Sequence, residues 1–213
     1  MSPVIPKRRA REPDVTRGKL LAAAFEEIYR HGFQAASLDR ILAGAGVTKG
    51  ALYHHFPDKA ALGYAVVEEI VTGPVLKVYL DRLEESPDPL AALQDVLRRR
   101  ADDFAAGGVE LGCPLNNLAQ EMSPLDERFR RRVAQVLDAW TAGYVRALER
   151  AKVLGVVRRD VNPDQVAAFI VAAVEGSFGM AKNAKSVATL RSNLDTLVTF
   201  LDTLRPARRG GHS

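Results

Sequence analysis

Residues 37–62, Ser-Leu-Asp-Arg-Ile-Leu-Ala-Gly-Ala-Gly-Val-Thr-Lys-Gly-Ala-Leu-Tyr-His-His-Phe-Pro-Asp-Lys-Ala-Ala-Leu, decide the fold. Leu38, Ile41, Leu42 and Ala45 recur at helical spacing on one face. Ser37 is placed to cap that helix, its hydroxyl accepting from an unpaired N–H of the first turn. Gly46 supplies the left-handed residue that ends it, and the apolar Val47 plugs the corner. Thr48 caps a second helix whose inner face carries Leu52, His55 and Phe56. Its other face shows Lys49, Gly50, Ala51, Tyr53 and His54. A base, two residues with almost no side chain and an aromatic suit close approach to a flat anionic surface. That is the logic of a helix-turn-helix recognition helix in a DNA major groove. The plain alternative is a helical hairpin of an ordinary core.

The wider run is more specific than the hairpin alone. Gly32-Phe33, then Ala45-Gly46-Val47-Thr48-Lys49-Gly50-Ala51-Leu52-Tyr53, then His55-Phe56, Lys59 and Leu62 resemble the N-terminal domain of the tetracycline-repressor (TetR) family. The clear match covers about a quarter of the chain. The resemblance implies an all-α fold of nine helices in two domains. One is a three-helix head with a helix-turn-helix, and the other a helical bundle for ligand binding and dimerisation. It also implies a backbone contact for His55, although helical spacing turns that side chain inward, and a phosphate clamp at Lys59.

The residues themselves assign the other roles. Gly50 and Ala51 let the backbone approach base edges. Lys49 can donate to guanine or to phosphate, or be a solvated lysine. Tyr53 can fix register on a phosphate without reading sequence; His54 shares the face of Gly50 and Ala51. Ser37 and the start of its helix, with Thr48 at the next, offer N–H groups to phosphate. Arg40 is a rim contact or solvated. Lys7, Arg8, Arg9 and Arg11 form a basic arm that either enters a minor groove or merely solubilises.

Charge supports this polarity. Residues 1–60 hold ten Lys and Arg against six Asp and Glu, and the rest of the chain twenty against twenty, so the whole net charge of +4 lies on the segment with the motif. A single cysteine, Cys113, excludes an internal disulfide framework and a multi-Cys zinc site. No metal-ligand spacing, acid/base pair, nucleophile motif or phosphate loop stands out, so no metal, no cofactor and no catalytic residue is expected. The longest apolar run, 166–174, is too short to span a bilayer. No signal peptide is visible, and a cytoplasmic location is expected.

Caps and breakers divide the chain into a basic arm (1–14), a helix-turn-helix domain (15–60), a ligand-binding and dimerisation domain (61–205) and a tail (206–213). Helix 1 is expected over 16–31, with Leu21, Phe25 and Ile28 inward. Helix 4 is expected over 59–85 and should bend or break at Gly73-Pro74. In the second domain, Cys113, Asn116, Asn117, Gln120, Trp140, Tyr144, Glu175 and Phe178 set polar or aromatic groups among apolar residues and are the candidate ligand contacts. Cys113, beside Gly112, can be a buried apolar residue or an accessible thiol. Leu190, Leu194, Leu197, Leu201 and Leu204 on helix 9, and Phe169, Ala173, Gly176 and Met180 on helix 8, form two stripes. They are read as the dimer surface, or else as the subunit's own core.

The expected function is a ligand-responsive transcriptional regulator, a repressor released from a palindromic double-stranded DNA operator by a small molecule. The alternatives are a non-regulated architectural DNA binder and an enzyme with its site in the bundle.

Overall fold

A computed structural model describes residues 12–107 and 109–207. The basic arm residues Lys7, Arg8, Arg9 and Arg11 and the tail beyond Ala207 lie outside them. Among the described residues there are nine helices and no strand. The chain forms two compact units, one ending at Ile70 and one beginning at Val71, rather than dividing at 60/61. Residues after the turn still belong to the first unit because Leu62, Tyr64, Val66 and Val67 are buried.

In the first unit, the head, α1 (Glu12–His31) packs against α2 (Leu38–Ala45), α3 (Lys49–His55) and the start of α4. α1 begins at Glu12, so the last residues assigned to the arm are helical. Its inner face is Leu20, Leu21, Ala24 and Ile28. Phe25 is half-buried and stacks on Tyr29 at 5.5 Å between ring centres.

Residues 59–80 are one helical run, α4, in three pieces: Lys59–Ala65, a π-helical Val66–Val71, and Thr72–Leu80. The expected break at Gly73-Pro74 does not occur, and the helix ends at Leu80. A proline lacks the N–H and strikes the carbonyl four residues back. Here that residue is Ile70, which lies inside the widened π turn, so the helix continues past Pro74.

The second unit, the body, contains α5 (Pro89–Gly107), α6 (Pro114–Met122), α7 (Glu127–Val153), α8 (Pro163–Ala184) and α9 (Val187–Asp202). α7 packs on α8, α6 and α5, and α9 on α5 and α8. Gly143 lets α7 cross the end of α4, since a Cβ there would lie 2.4 Å from the Leu80 side chain. The core holds Phe129, Trp140, Tyr144 and Phe178, all but inaccessible.

The two stripes part company. Leu190, Leu194, Leu197 and Leu201 on α9 and Leu204 just past its end are all buried within the subunit, so these leucines are core and not a dimer surface. Long branched side chains at that spacing fill the gap between α9 and its neighbours α5 and α8. On α8, Phe169 is 51% and Met180 60% exposed, Gly176 is exposed and Ala173 half-buried.

Candidate functional site

The head builds its outer face from local rules. Ser37 accepts from the Arg40 amide at 3.4 Å, and Thr48 from the Ala51 amide at 3.3 Å. Asp58 accepts from the Ala61 amide at 2.7 Å. Gly46 takes φ +65°, the left-handed conformation that turns the chain between α2 and α3. Leu52 and Phe56 are buried, which aims the opposite side of α3 outward. Lys49, Gly50, Tyr53 and His54 are exposed there, while Ala51 and His55 are half-buried. A Cβ on Gly50 would meet only the Thr48 hydroxyl at 3.9 Å. The fold therefore leaves that surface open.

Three residues are more occupied than their spacing suggests. Lys59 Nζ donates to the Gln34 carbonyl at 3.0 Å and lies 5.0 Å above the Phe33 ring. The Ser37 amide donates to Glu27 at 3.0 Å, so that N–H is already used. Arg40 is exposed, as expected, but it is also engaged: its Nε donates to Glu27 at 2.7 Å and its guanidinium to the Ala35 carbonyl at 3.2 Å. Glu27, a residue missed in sequence, is buried and joins α1 to the start of α2. The Arg40 hydrogen bond holds its carboxyl below the usual carboxylate range. Its visible signal was an acid between Ala24 and Ile28 on the inner face of α1. Arg17 pairs with Glu69 and lies over the Phe56 ring at 5.1 Å, bracing α3 against α1 and α4.

The body contains a pocket of about 310 Å³ between α6, α7 and α8. This lies at the small end of ligand cavities. Its lining is Leu115, Asn116, Ala119 and Gln120 from α6, Leu137 and Thr141 from α7, and Ala168, Val171, Ala172 and Glu175 from α8. Three of the eight residues picked from sequence are therefore brought together: Asn116, Gln120 and Glu175. The apolar lining residues and Thr141 were missed, since single alanines and leucines in a helix carry no signal of a cavity.

The other five fall elsewhere. Asn117 is spent on the Leu111 carbonyl at 2.7 Å and on Lys182 at 2.9 Å. Cys113 is buried, and burial pushes its thiol well above the ordinary range. An accessible, reactive thiol is thus not what the fold provides. Trp140, Tyr144 and Phe178 are core. Trp140 stacks on Tyr79 at 3.9 Å between ring centres and meets Tyr144 edge-on at 6.0 Å. Phe178 joins Tyr79 and Phe104 around the Arg100 guanidinium, which lies 4.7–5.9 Å from the three rings. This cage, drawn from three helices, had no sequence signal.

One electrostatic feature stands out behind the pocket wall. Trp140 Nε1, Tyr144 OH and both carboxylate oxygens of Glu175 are buried without a hydrogen-bond partner of good geometry. Burial pushes the Glu175 carboxyl up to about 7, while the nearby Cys113 thiol and Arg100 pull it down. A buried polar group without a partner costs about 1–3 kcal/mol, so this corner is held at a cost to stability. Among the described residues no group of three His, Cys, Asp or Glu is placed to hold a metal, and no helix is long and apolar enough to cross a membrane.

Comparison with known proteins agrees with this geometry. Residues 20–66 match the family described as bacterial regulatory proteins, tetR family. Residues 89–195 match the C-terminal domain of LmrA/YxaF-like transcriptional regulators. The chain belongs to the tetR family. It is 31% identical to the transcriptional regulator AcuR of Cereibacter sphaeroides, over 82% of this chain and 80% of that one. It is 26% identical to the transcriptional repressor DhaR of Mycobacterium sp. strain GP1, over 90% and 92%. Among solved structures, a TetR regulatory protein from Rhodobacter sphaeroides superposes with a TM-score of 0.76 at 29% identity, covering 87% of this chain and 98% of that one. A TetR regulator from Chloroflexus aurantiacus does so with 0.80 at 25% identity, covering 92% and 98%. This tetR-family chain is thus a DNA-binding transcriptional regulator, of a family whose members dimerise and bind small-molecule effectors.

Proposed function

We propose that this tetR-family regulator is a repressor that binds a palindromic operator as a dimer and leaves it when a small molecule enters the body. The observation that carries the reading is the exposed face of α3, where Lys49, Gly50, Tyr53 and His54 stand out over the buried Leu52 and Phe56. On this reading Gly50 and Ala51 lie against base edges, with Lys49 and His54 at the groove. Tyr53, His55, Lys59 and the α2 and α3 N-termini around Ser37 and Thr48 meet the backbone. One helix of seven residues spans too few base pairs for specificity, so two copies on half-sites roughly 34–36 Å apart are needed. The dimer contact is assigned to the α8 stripe, with α9 contributing its outward residues and not its leucines.

The effector site is the α6–α7–α8 pocket, with Asn116, Gln120 and Thr141 as its polar groups and the buried Glu175 carboxyl behind its wall. The regulator works in the cytoplasm, where its DNA lies, and catalyses no reaction. Footprinting on the DNA upstream of its own gene tests the operator; two symmetric protected half-sites are expected. Small molecules found by thermal shift are then titrated into the complex. If tight binders to the body leave DNA affinity unchanged, the regulatory half of the reading fails and the DNA-binding half stands.

A further inference from the structure

Six of the ten residues lining the α6–α7–α8 pocket are apolar and three are uncharged polar groups. Glu175 alone among them carries a charge. The residue is half-buried and its stem lines the pocket, yet both carboxylate oxygens are buried and lack a hydrogen-bond partner of good geometry. Asn116 fixes the backbone at this point, its amide nitrogen donating to the Glu175 carbonyl at 3.2 Å. The side chain keeps its torsions, and rotation about them carries the carboxyl from the interior to the pocket.

The interior supplies no counter-charge in contact with it. Arg100 acts on Glu175 from α5, but its guanidinium is engaged elsewhere. It donates to Asp103 at 3.2 Å and to the Tyr79 hydroxyl at 3.4 Å, and it lies against the rings of Tyr79, Phe104 and Phe178. The other groups that feel the carboxyl are the Cys113 thiol and the phenols of Tyr79 and Tyr144. Burial pushes the ionisation of all three upward, which keeps them neutral.

We infer that the pocket takes a small organic cation, a protonated amine on an apolar body, which draws the Glu175 carboxylate out of the interior to meet its N–H groups. The inference rests on the effector-site reading above. The lining sets the sign of the charge. An anion would face Glu175 with no cation in the lining to receive it, and a neutral molecule would leave its charge unanswered. An amine brings donors to oxygens that lack them and a charge that offsets theirs. Such charge-assisted pairs are the stronger hydrogen bonds, more so where water is largely excluded. The apolar lining receives the rest of the molecule, and the volume of about 310 Å³ suits a single ring or a short chain. Movement of the carboxyl also removes a negative charge from beside Tyr79, Arg100 and Tyr144, so occupancy is felt on α4, α5 and α7.

The probes are three series, benzyl, 2-phenylethyl and cyclohexylmethyl, each as amine, alcohol and carboxylate. Binding is read by calorimetry and by the fluorescence of Trp140, the single tryptophan, whose neighbour Tyr144 feels the Glu175 charge. In at least one series the amine should bind at least about tenfold tighter than its alcohol and its carboxylate. Glu175→Gln, which keeps the shape and removes the charge, should bring the amine down to the alcohol. Glu149→Gln removes the same charge from an exposed site on α7 and should leave the preference intact. The preference should grow from about pH 6 to about pH 8, as a carboxyl pushed up to about 7 ionises. No amine preference in any series, or one that survives Glu175→Gln, overturns the inference. Alcohols or carboxylates that bind best and release the operator overturn it and leave the regulatory reading standing. Amines that bind through Glu175 and leave operator affinity unchanged support the inference and overturn the regulatory reading.

Discussion

Glu27 in the head and Glu175 in the body are both carboxylates turned into a helical unit, and they are treated in opposite ways. Glu27 accepts from the Ser37 amide and from Arg40, and its carboxyl is held low by them. Glu175 has two buried oxygens with no hydrogen-bond partner of good geometry, and its carboxyl is pushed up by burial. The head pairs Glu27, Arg40 and Lys59 within itself and leaves the outer side of α3 open. The body keeps a charge, an indole N–H and a phenol unpaired near a pocket, and an uncharged stripe exposed on α8. Pairing makes a rigid frame, whereas unpaired groups mark where something else must come. On this reading the head presents a finished surface to DNA, and the body is finished by its ligand and its second copy.

The largest effect that tests this contrast is Glu175→Gln. A carboxyl whose folded pKa is raised binds its proton more tightly when folded, so its stability contribution declines as pH rises. The window runs from about 4.3, the ordinary value in the unfolded chain, to about 7. Above that window the penalty is roughly 4 kcal/mol. Glutamine lacks the ionisation, so urea denaturation should show the variant more stable than wild type at pH 8 and little different at pH 4.5. A variant equally or less stable at pH 8 would mean that Glu175 is paired after all.

Glu27→Gln should behave in the opposite sense. A lowered folded pKa contributes stability above the unfolded value, lost as pH falls through the folded one. The variant should therefore lose about 1–3 kcal/mol at neutral pH, and its deficit should shrink in acid. A deficit that persists at pH 3 would assign the loss to packing instead.

The contrast also separates what was legible in the sequence from what was not. Capping by Ser37, Thr48 and Asp58 and the turn at Gly46 involve groups at most five residues apart, and a local pattern is enough to read them. Glu27 reaches ten and thirteen residues along the chain to Ser37 and Arg40, and its role went unread. In the body, periodicity reported that α8 and α9 each carry an apolar stripe but not what covers it. Side-chain size was the better guide. Five leucines fill a core, whereas two glycine- and alanine-separated large residues on α8 stay outside. The pocket was read only through its amides and its acid, because its apolar walls belong to three helices that meet only in the fold. Pro74 shows the same limit: it predicts a break, and a π turn around Ile70 absorbs the clash.

Smaller effects are expected at the finished surface. Tyr53 is 46% exposed, so Tyr53→Phe should leave stability unchanged. Removing one hydrogen bond to a charged phosphate oxygen costs about 1.5–3 kcal/mol. Operator and unrelated DNA should weaken by a similar factor, read by fluorescence anisotropy, because a backbone contact does not report sequence. Loss of operator binding alone would move Tyr53 from the backbone to the bases.

The claim on which the rest depends is that the open side of α3 reads DNA. Gly50→Leu tests it most directly, because the fold leaves the space beside Gly50 empty except for the Thr48 hydroxyl. The variant should melt at or slightly above the wild-type temperature, since glycine in a helix is worth about 0.5–1 kcal/mol less than an ordinary residue. In a mobility-shift assay on the footprinted operator it should lose specific binding, because the leucine occupies the room the base edges need. A folded Gly50→Leu protein that binds the operator as tightly as wild type would contradict the account.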